Sequence, residues 1–121
     1  MPGHVELAVT GNATLDYFEE KGILVNIILH VRIFARMSPV SKTMLVMKFR
    51  ELGFITGMCG DGGNDCGALR ASHAGIALSE AEASVVSPFT ATTKSPTSTV
   101  DLVLEGRASL ATSFANYKFL K

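Results

Sequence analysis

The stretch Phe54-Ile55-Thr56-Gly57-Met58-Cys59-Gly60-Asp61-Gly62-Gly63-Asn64-Asp65 decides how this chain reads. Phe54 to Cys59 is apolar with one threonine, which suits a buried strand, and the six residues that follow are too glycine-rich to be regular. In parallel α/β sheets, ligands bind in the crevice beyond the carboxyl ends of the strands, so an acidic loop at this position is where a site would be built. Asp61 and Asp65 lie four residues apart. The glycines between and beside them, Gly60 and Gly62 among them, let backbone amides approach an anion while the carboxylates hold a hard cation such as Mg²⁺. The same residue types also make a plain surface turn, and composition alone does not separate the two readings.

Working outward, the chain alternates short apolar runs with helical patterns. Val5 to Val9 reads as a strand closed by Thr10-Gly11-Asn12, with Asn12 or Thr14 able to cap a helix over Leu15 to Lys21 that Gly22 ends. Ile23 to His30 is equally consistent with a buried helix or a strand. Ile33 to Met37 reads as a strand stopped by Ser38-Pro39, because the residue before a proline is pushed out of the helical region. The clearest helix comes next: Leu45, Phe49 and Leu52 share one face, and Gly53 sits where a C-terminal cap belongs. Downstream of the glycine loop, a helix is expected through Leu69 and His73, then a strand from Gly75 to Ser79. The rest reads as a Ser/Thr/Pro-rich loop from Ser84 to Thr99, a last strand from Val100 to Leu104, and a helix from Arg107 to Lys121. Such alternation predicts an α/β fold with a parallel sheet covered by helices on both faces.

Bulk properties narrow the function classes. The 121 residues suit one domain, 47% of them hydrophobic, with 11 basic and 11 acidic side chains. This balance carries no electrostatic footprint for nucleic acid. The apolar run Ile23 to Ile33 is interrupted by Asn26, His30 and Arg32 and falls short of the roughly 20 residues a membrane span needs. The first residues lack the pattern of a secretory signal, so a cytosolic setting is expected. Cys59 and Cys66 are too few for a disulfide framework and read as reduced thiols. His4, His30 and His73 show no ligand spacing.

A second constellation, Ala35-Arg36-Met37-Ser38-Pro39 followed by Lys42, places an ammonium in the first turn of a helix beyond a strand end. Such a lysine could meet a phosphate or simply face water; the helix dipole opposes it slightly unless an anion is its partner. Taken in order, Phe34 to Pro39 with Lys42, Gly57 to Leu69, and Ala74 to Ser79 resemble the hinge half of the phosphorylation domain of P-type ATPases, in the haloacid dehalogenase superfamily. The form Met58-Cys59-Gly60-Asp61-Gly62, with Cys66 to Leu69, Ser84 to Thr90 and Glu105 to Ala108, resembles the type V subgroup, particularly its endolysosomal polyamine- or cation-transporting branch.

The resemblance implies roles for particular residues. Asp61 would be the protein carboxylate on the catalytic Mg²⁺, and Asn64 would hydrogen-bond the phosphoryl group. Lys42 would neutralise phosphate charge, and Asp65 would position Lys42 and assist the metal. Phosphoryl transfer needs positioning and charge neutralisation more than covalent help, which agrees with this set. In the family the phosphoryl group rides on an aspartate in Asp-Lys-Thr-Gly-Thr, a motif this chain does not contain. The expectation is therefore a fragment, inactive alone, of an ATP-driven pump. Residues 1–106 would belong to the phosphorylation domain and 107–121 to a stalk leading to a membrane helix. Its partners would be the nucleotide-binding, actuator and membrane domains of the parent, with ATP as the parent's second ligand and an endolysosomal cytosolic face as its place. Thr10-Gly11-Asn12 is only similar to the family's Thr-Gly-Asp, and Val40-Ser41 replaces the usual acidic-polar pair before the lysine; no catalytic role is assigned to Thr10. The alternative is a non-catalytic module that docks on a pump or self-associates through sheet edges. A soluble phosphatase of the same superfamily would need an Asp-x-Asp motif that is absent here.

Overall fold

The computed structural model describes residues 6–78 and 82–120, so His4, Val5 and Ser79 lie outside the described residues. The elements run β1 (Leu7–Thr10), α1 (Asn12–Glu20), α2 (Leu24–Ile28), β2 (Val31–Ala35), α3 (Pro39–Glu51), β3 (Gly57–Gly60), a 3₁₀ turn (Gly63–Asp65) and α4 (Cys66–Ala71). They finish with β4 (Ala74–Ala77), α5 (Glu82–Val86), β5 (Phe89–Thr90) and α6 (Ser98–Phe119). All pairings among the described strands are parallel, and the fold is α/β as the alternation predicts.

The strands form two separate sheets, β1-β2 and β3-β4-β5. Thr10 lies beside Ala35 in the first, and Gly60 beside Ala77 in the second. Two apolar clusters follow this division. Val9, Leu15, Leu24, Ile28, Val31, Met37 and Leu45 pack together beside the first sheet, and Leu69, Ala77 and Ala83 beside the second. Helices α3 and α4 bridge the halves. At the joint Gly67 leaves room that a side chain would not have, since a Cβ there would stand 2.5 Å from Thr43 Oγ1. The single sheet expected from the sequence is thus divided, because no described strand pairs with both β1-β2 and β3-β4-β5.

Helix ends match their local chemistry. Ser38 caps α3 by accepting from Ser41 N–H, Pro39 fills the first turn, and Gly53 takes the left-handed φ of 85° beyond its end. The open choice over Ile23 to His30 resolves as a helix, α2. The segment Ser84 to Thr99 is not a plain loop: it holds most of α5, the short β5 and the start of α6. The strand expected at Val100 to Leu104 is helical. Val100, Val103 and Leu104 recur at helical spacing within α6, and the apolar run alone could not distinguish the two periods. No residue of α6 is buried, and among the described residues no helix is long and apolar enough to cross a membrane.

Candidate functional site

The carboxyl ends of β1, β2 and β3 deliver their following segments to one place. Beyond β1, Asn12 Oδ1 accepts from Ser38 N–H and from Ser41 Oγ–H, both at 2.9 Å, and so touches the segment that follows β2. Beyond β2, Lys42 stands in the first turn of α3 and donates from Nζ to Asp65 Oδ1 at 2.7 Å. Beyond β3, the loop turns through a 3₁₀ bend closed by Asp65 N–H donating to Gly62 C=O, which swings Asp65 inward.

Asp65 is the buried member of this group, its side chain 12% exposed against 36% for Lys42. A carboxylate so placed needs a partner, and the ammonium supplies it. Gly60 makes the approach possible: a Cβ there would lie 2.7 Å from Asp65 Oδ2, inside contact distance. Gly62 is not constrained in this way, since its Cβ position is open apart from Asn64 N at 4.0 Å. Asp61, Asn64 and Gly63 are exposed on the outer side of the same loop. Cys59, the residue before Gly60, has its thiol pushed up by burial and then by the carboxylates of Asp61 and Asp65, so the loop's negative charge is felt at the strand end.

Of the residues singled out in the sequence, the structure brings Lys42, Asp65 and Gly60 into direct contact or close approach and sets Asp61 and Asn64 at the surface of the same loop. Among the described residues no three His, Cys, Asp or Glu side chains are grouped to hold a metal by themselves. His73 is occupied otherwise, its Nδ1 accepting from Thr56 N–H at 3.2 Å. Asn12 and Ser41 were missed. Asn12 reads as a cap for α1, yet Gly11 holds that position, and Thr14 Oγ1 donates to Thr10 C=O instead. The signal that could have found it is the parallel pairing of β1 with β2, which sets the two following turns side by side.

No protein-family model matches the chain. Among curated proteins it is 48% identical over 122 residues to the probable cation-transporting ATPase 13A4 of Gallus gallus, an alignment covering 98% of this chain and 10% of that protein. It is 49% identical over 106 residues to the polyamine-transporting ATPase 13A3 of Mus musculus, covering 88% of this chain and 8% of that protein. The probable cation-transporting ATPase 13A5 of Homo sapiens is 47% identical over 114 residues, 93% of this chain and 9% of its own length. Among solved structures, the catalytic domain of the CPx-ATPase CopB-B superposes with a TM-score of 0.55 at 18% identity, over 77% of this chain and 35% of that one, which shows a shared haloacid-dehalogenase-like fold. This chain, spanning about a tenth of the curated relatives it matches, belongs to the P-type ATPase family, on its type V branch.

Proposed function

We propose that this chain supplies the Mg²⁺- and phosphate-facing half of the phosphorylation site of an ATP-driven cation or polyamine pump. Residues 1–106 would form the C-terminal part of the phosphorylation domain, and 107–121 the stalk leading toward the membrane. The observation that carries the reading is the Lys42–Asp65 contact at 2.7 Å, made where three strand ends converge. A lysine steadied by a buried carboxylate keeps its charge in place as phosphate arrives, which is electrostatic preorganisation. The residues present fit Mg²⁺: Asp61 offers an exposed carboxylate, and magnesium needs one or two of these with waters and a phosphate oxygen. When bound, the ion would neutralise charge developing on the phosphoryl group. Asp65 spends one oxygen on Lys42 and orients it, its second oxygen remaining toward the loop. Asn64 stands on that loop as a hydrogen-bond donor to the phosphoryl group.

Among the described residues the two sheets leave unpaired edges. In this proposal a strand from elsewhere in the parent, carrying the phosphorylated aspartate, pairs there and brings the nucleophile against Lys42 and Asp61. The isolated chain then hydrolyses no ATP, its partners are the parent's other domains, and its place is the cytosolic face of an endolysosomal membrane. The test is amide NMR during titration with Mg²⁺ and beryllium fluoride, on wild type and Asp61→Ala. Shifts at Gly60 to Asp65 and Lys42 that disappear in the variant are expected. Shifts equal in both proteins would defeat the assignment of Asp61.

A further inference from the structure

We propose that Asn12 is a positioning residue for Lys42, acting through the first turn of α3; the inference rests on the reading of Lys42 as the phosphate-neutralising side chain. Asn12 is the first residue of α1, yet its side chain serves another helix. Its Oδ1 accepts from Ser38 N–H and Ser41 Oγ–H at 2.9 Å each. Ser41 N–H donates to Ser38 Oγ at 3.2 Å, and the two hydroxyl oxygens stand 3.1 Å apart. Asn12, Ser38 and Ser41 therefore form a closed hydrogen-bonded ring at the start of α3, with Ser41 only 6% exposed.

The ring does more than cap. Ser38 alone satisfies Ser41 N–H in the usual way, and the helix needs no further acceptor for that donor. Asn12 adds a tie between the turn after β1 and the turn after β2, strands whose ends, Thr10 and Ala35, are paired neighbours. Gly11 N–H donating to Ala35 C=O at 3.0 Å anchors the base of that tie. The backbone donor at Ser38 also settles which way the Asn12 amide faces, because only its oxygen can accept. The residue after Ser41 is Lys42. Its long side chain loses much rotamer freedom to reach Asp65, so a helix start free to swivel would spread the ammonium over many positions. Fixing the first turn from β1 converts a mobile charge into an aimed one.

The test uses the whole chain and needs no ligand. Hydrogen exchange at the Ser38 amide and at the Lys42 ammonium is followed by ¹⁵N NMR in wild type, Asn12→Ala and Asn12→Asp, with urea denaturation alongside. Asn12→Ala is expected to speed both exchanges by about tenfold, the scale of one lost hydrogen bond. Asn12→Asp, which keeps the acceptor, is expected to restore both. A purely structural role would lower the urea midpoint and leave the Lys42 ammonium unchanged, and that result overturns the proposal. Should Asn12→Ala fail to fold, Ser41→Ala removes one arm of the ring and decides the matter: a loosened Lys42 ammonium supports the proposal, an unchanged one overturns it. Failure of the Mg²⁺ titration in wild type would defeat the proposed function without touching this readout, and failure of this readout alone would leave the proposed function standing.

Discussion

Lys42 Nζ and Asp65 Oδ1 meet at 2.7 Å across 23 residues of sequence, joining the turn after β2 to the turn after β3. This ion pair and the packing of α3 on α4 help to connect the half of the molecule built on β1-β2 to the half built on β3-β4-β5. It contrasts with the Arg32–Glu6 pair, whose side chains are 68% and 63% exposed.

A double-mutant cycle should separate the two pairs. Lys42→Ala leaves a mostly buried carboxylate without its cation and is expected to cost about 2 kcal/mol, between the values for exposed and fully buried pairs. With Asp65→Asn as the second arm, the coupling should be about 1–2 kcal/mol, whereas Arg32→Ala should change stability by less than about 0.5 kcal/mol. Urea denaturation of the four proteins of the cycle and of Arg32→Ala measures it; coupling near zero would show that the contact contributes aim without stability.

The joint between the halves predicts a steric effect. Gly67→Ala puts a Cβ 2.5 Å from Thr43 Oγ1, which is itself engaged in donating to Pro39 C=O. The helices must separate or the threonine must turn, at a cost of about 1–3 kcal/mol. Thr43→Ala removes the obstructing hydroxyl, so the double variant Gly67→Ala/Thr43→Ala should recover part of the loss in thermal denaturation. No recovery would place the conflict elsewhere.

Much of this arrangement was legible in the sequence, for identifiable reasons. The glycine-rich loop after Cys59 requires an irregular turn almost irrespective of context, but of the buried strand expected over Phe54 to Cys59 only Gly57 to Cys59 lie in β3, with Phe54 and Ile55 exposed ahead of it. Ser38-Pro39 at one end of α3 and Gly53 at the other mark its limits by capping chemistry alone. The family motif singled out Lys42 and Asp65 together, but their contact depends on Gly60 leaving room for the carboxylate, which only coordinates reveal. Val100 to Leu104 misled because five residues are too few for the helical spacing of Val100, Val103 and Leu104 to stand out from an apolar strand, and α6 declares itself only over its full length. Asn12 was hidden for a different reason: its partners Ser38 and Ser41 are distant in sequence, and only the pairing of β1 with β2 makes them neighbours.

Cys59 should report the loop's charge as a function of pH. Burial, then Asp61 and Asp65, raise its thiol above the ordinary value, so the folded state favours the protonated form. The sign follows: that preference stabilises the fold at lower pH and is lost as pH rises through the raised folded value. Alkylation of Cys59 in a Cys66→Ala background should be slow at neutral pH and accelerate only in the alkaline range. Asp61→Asn removes one of the charges and should move the acceleration to lower pH. An unmoved profile would mean that burial alone holds the thiol.

Helix α6 should be dispensable to the core. It runs from Ser98 to Phe119 without a buried residue, and Leu110, Phe114 and Tyr117 are 58%, 60% and 60% exposed. Burial of apolar surface is the main source of folding free energy, and the distal half of α6 contributes almost none of it. Truncation after Gly106 is therefore expected to leave the urea midpoint within about 0.5 kcal/mol of the full chain, a surface-level change. The removed segment is about four turns long and, with no buried residue in α6 to hold it, is marginal as a helix in water, so the loss of helical circular dichroism should be smaller than its length implies. Removing Leu110, Phe114 and Tyr117 should also lower self-association measured by light scattering, because exposed apolar stripes drive it. A destabilisation above about 1 kcal/mol would instead mean that the distal helix braces the second sheet, and the stalk assignment for residues 107–121 would have to yield to one in which this segment belongs to the domain itself.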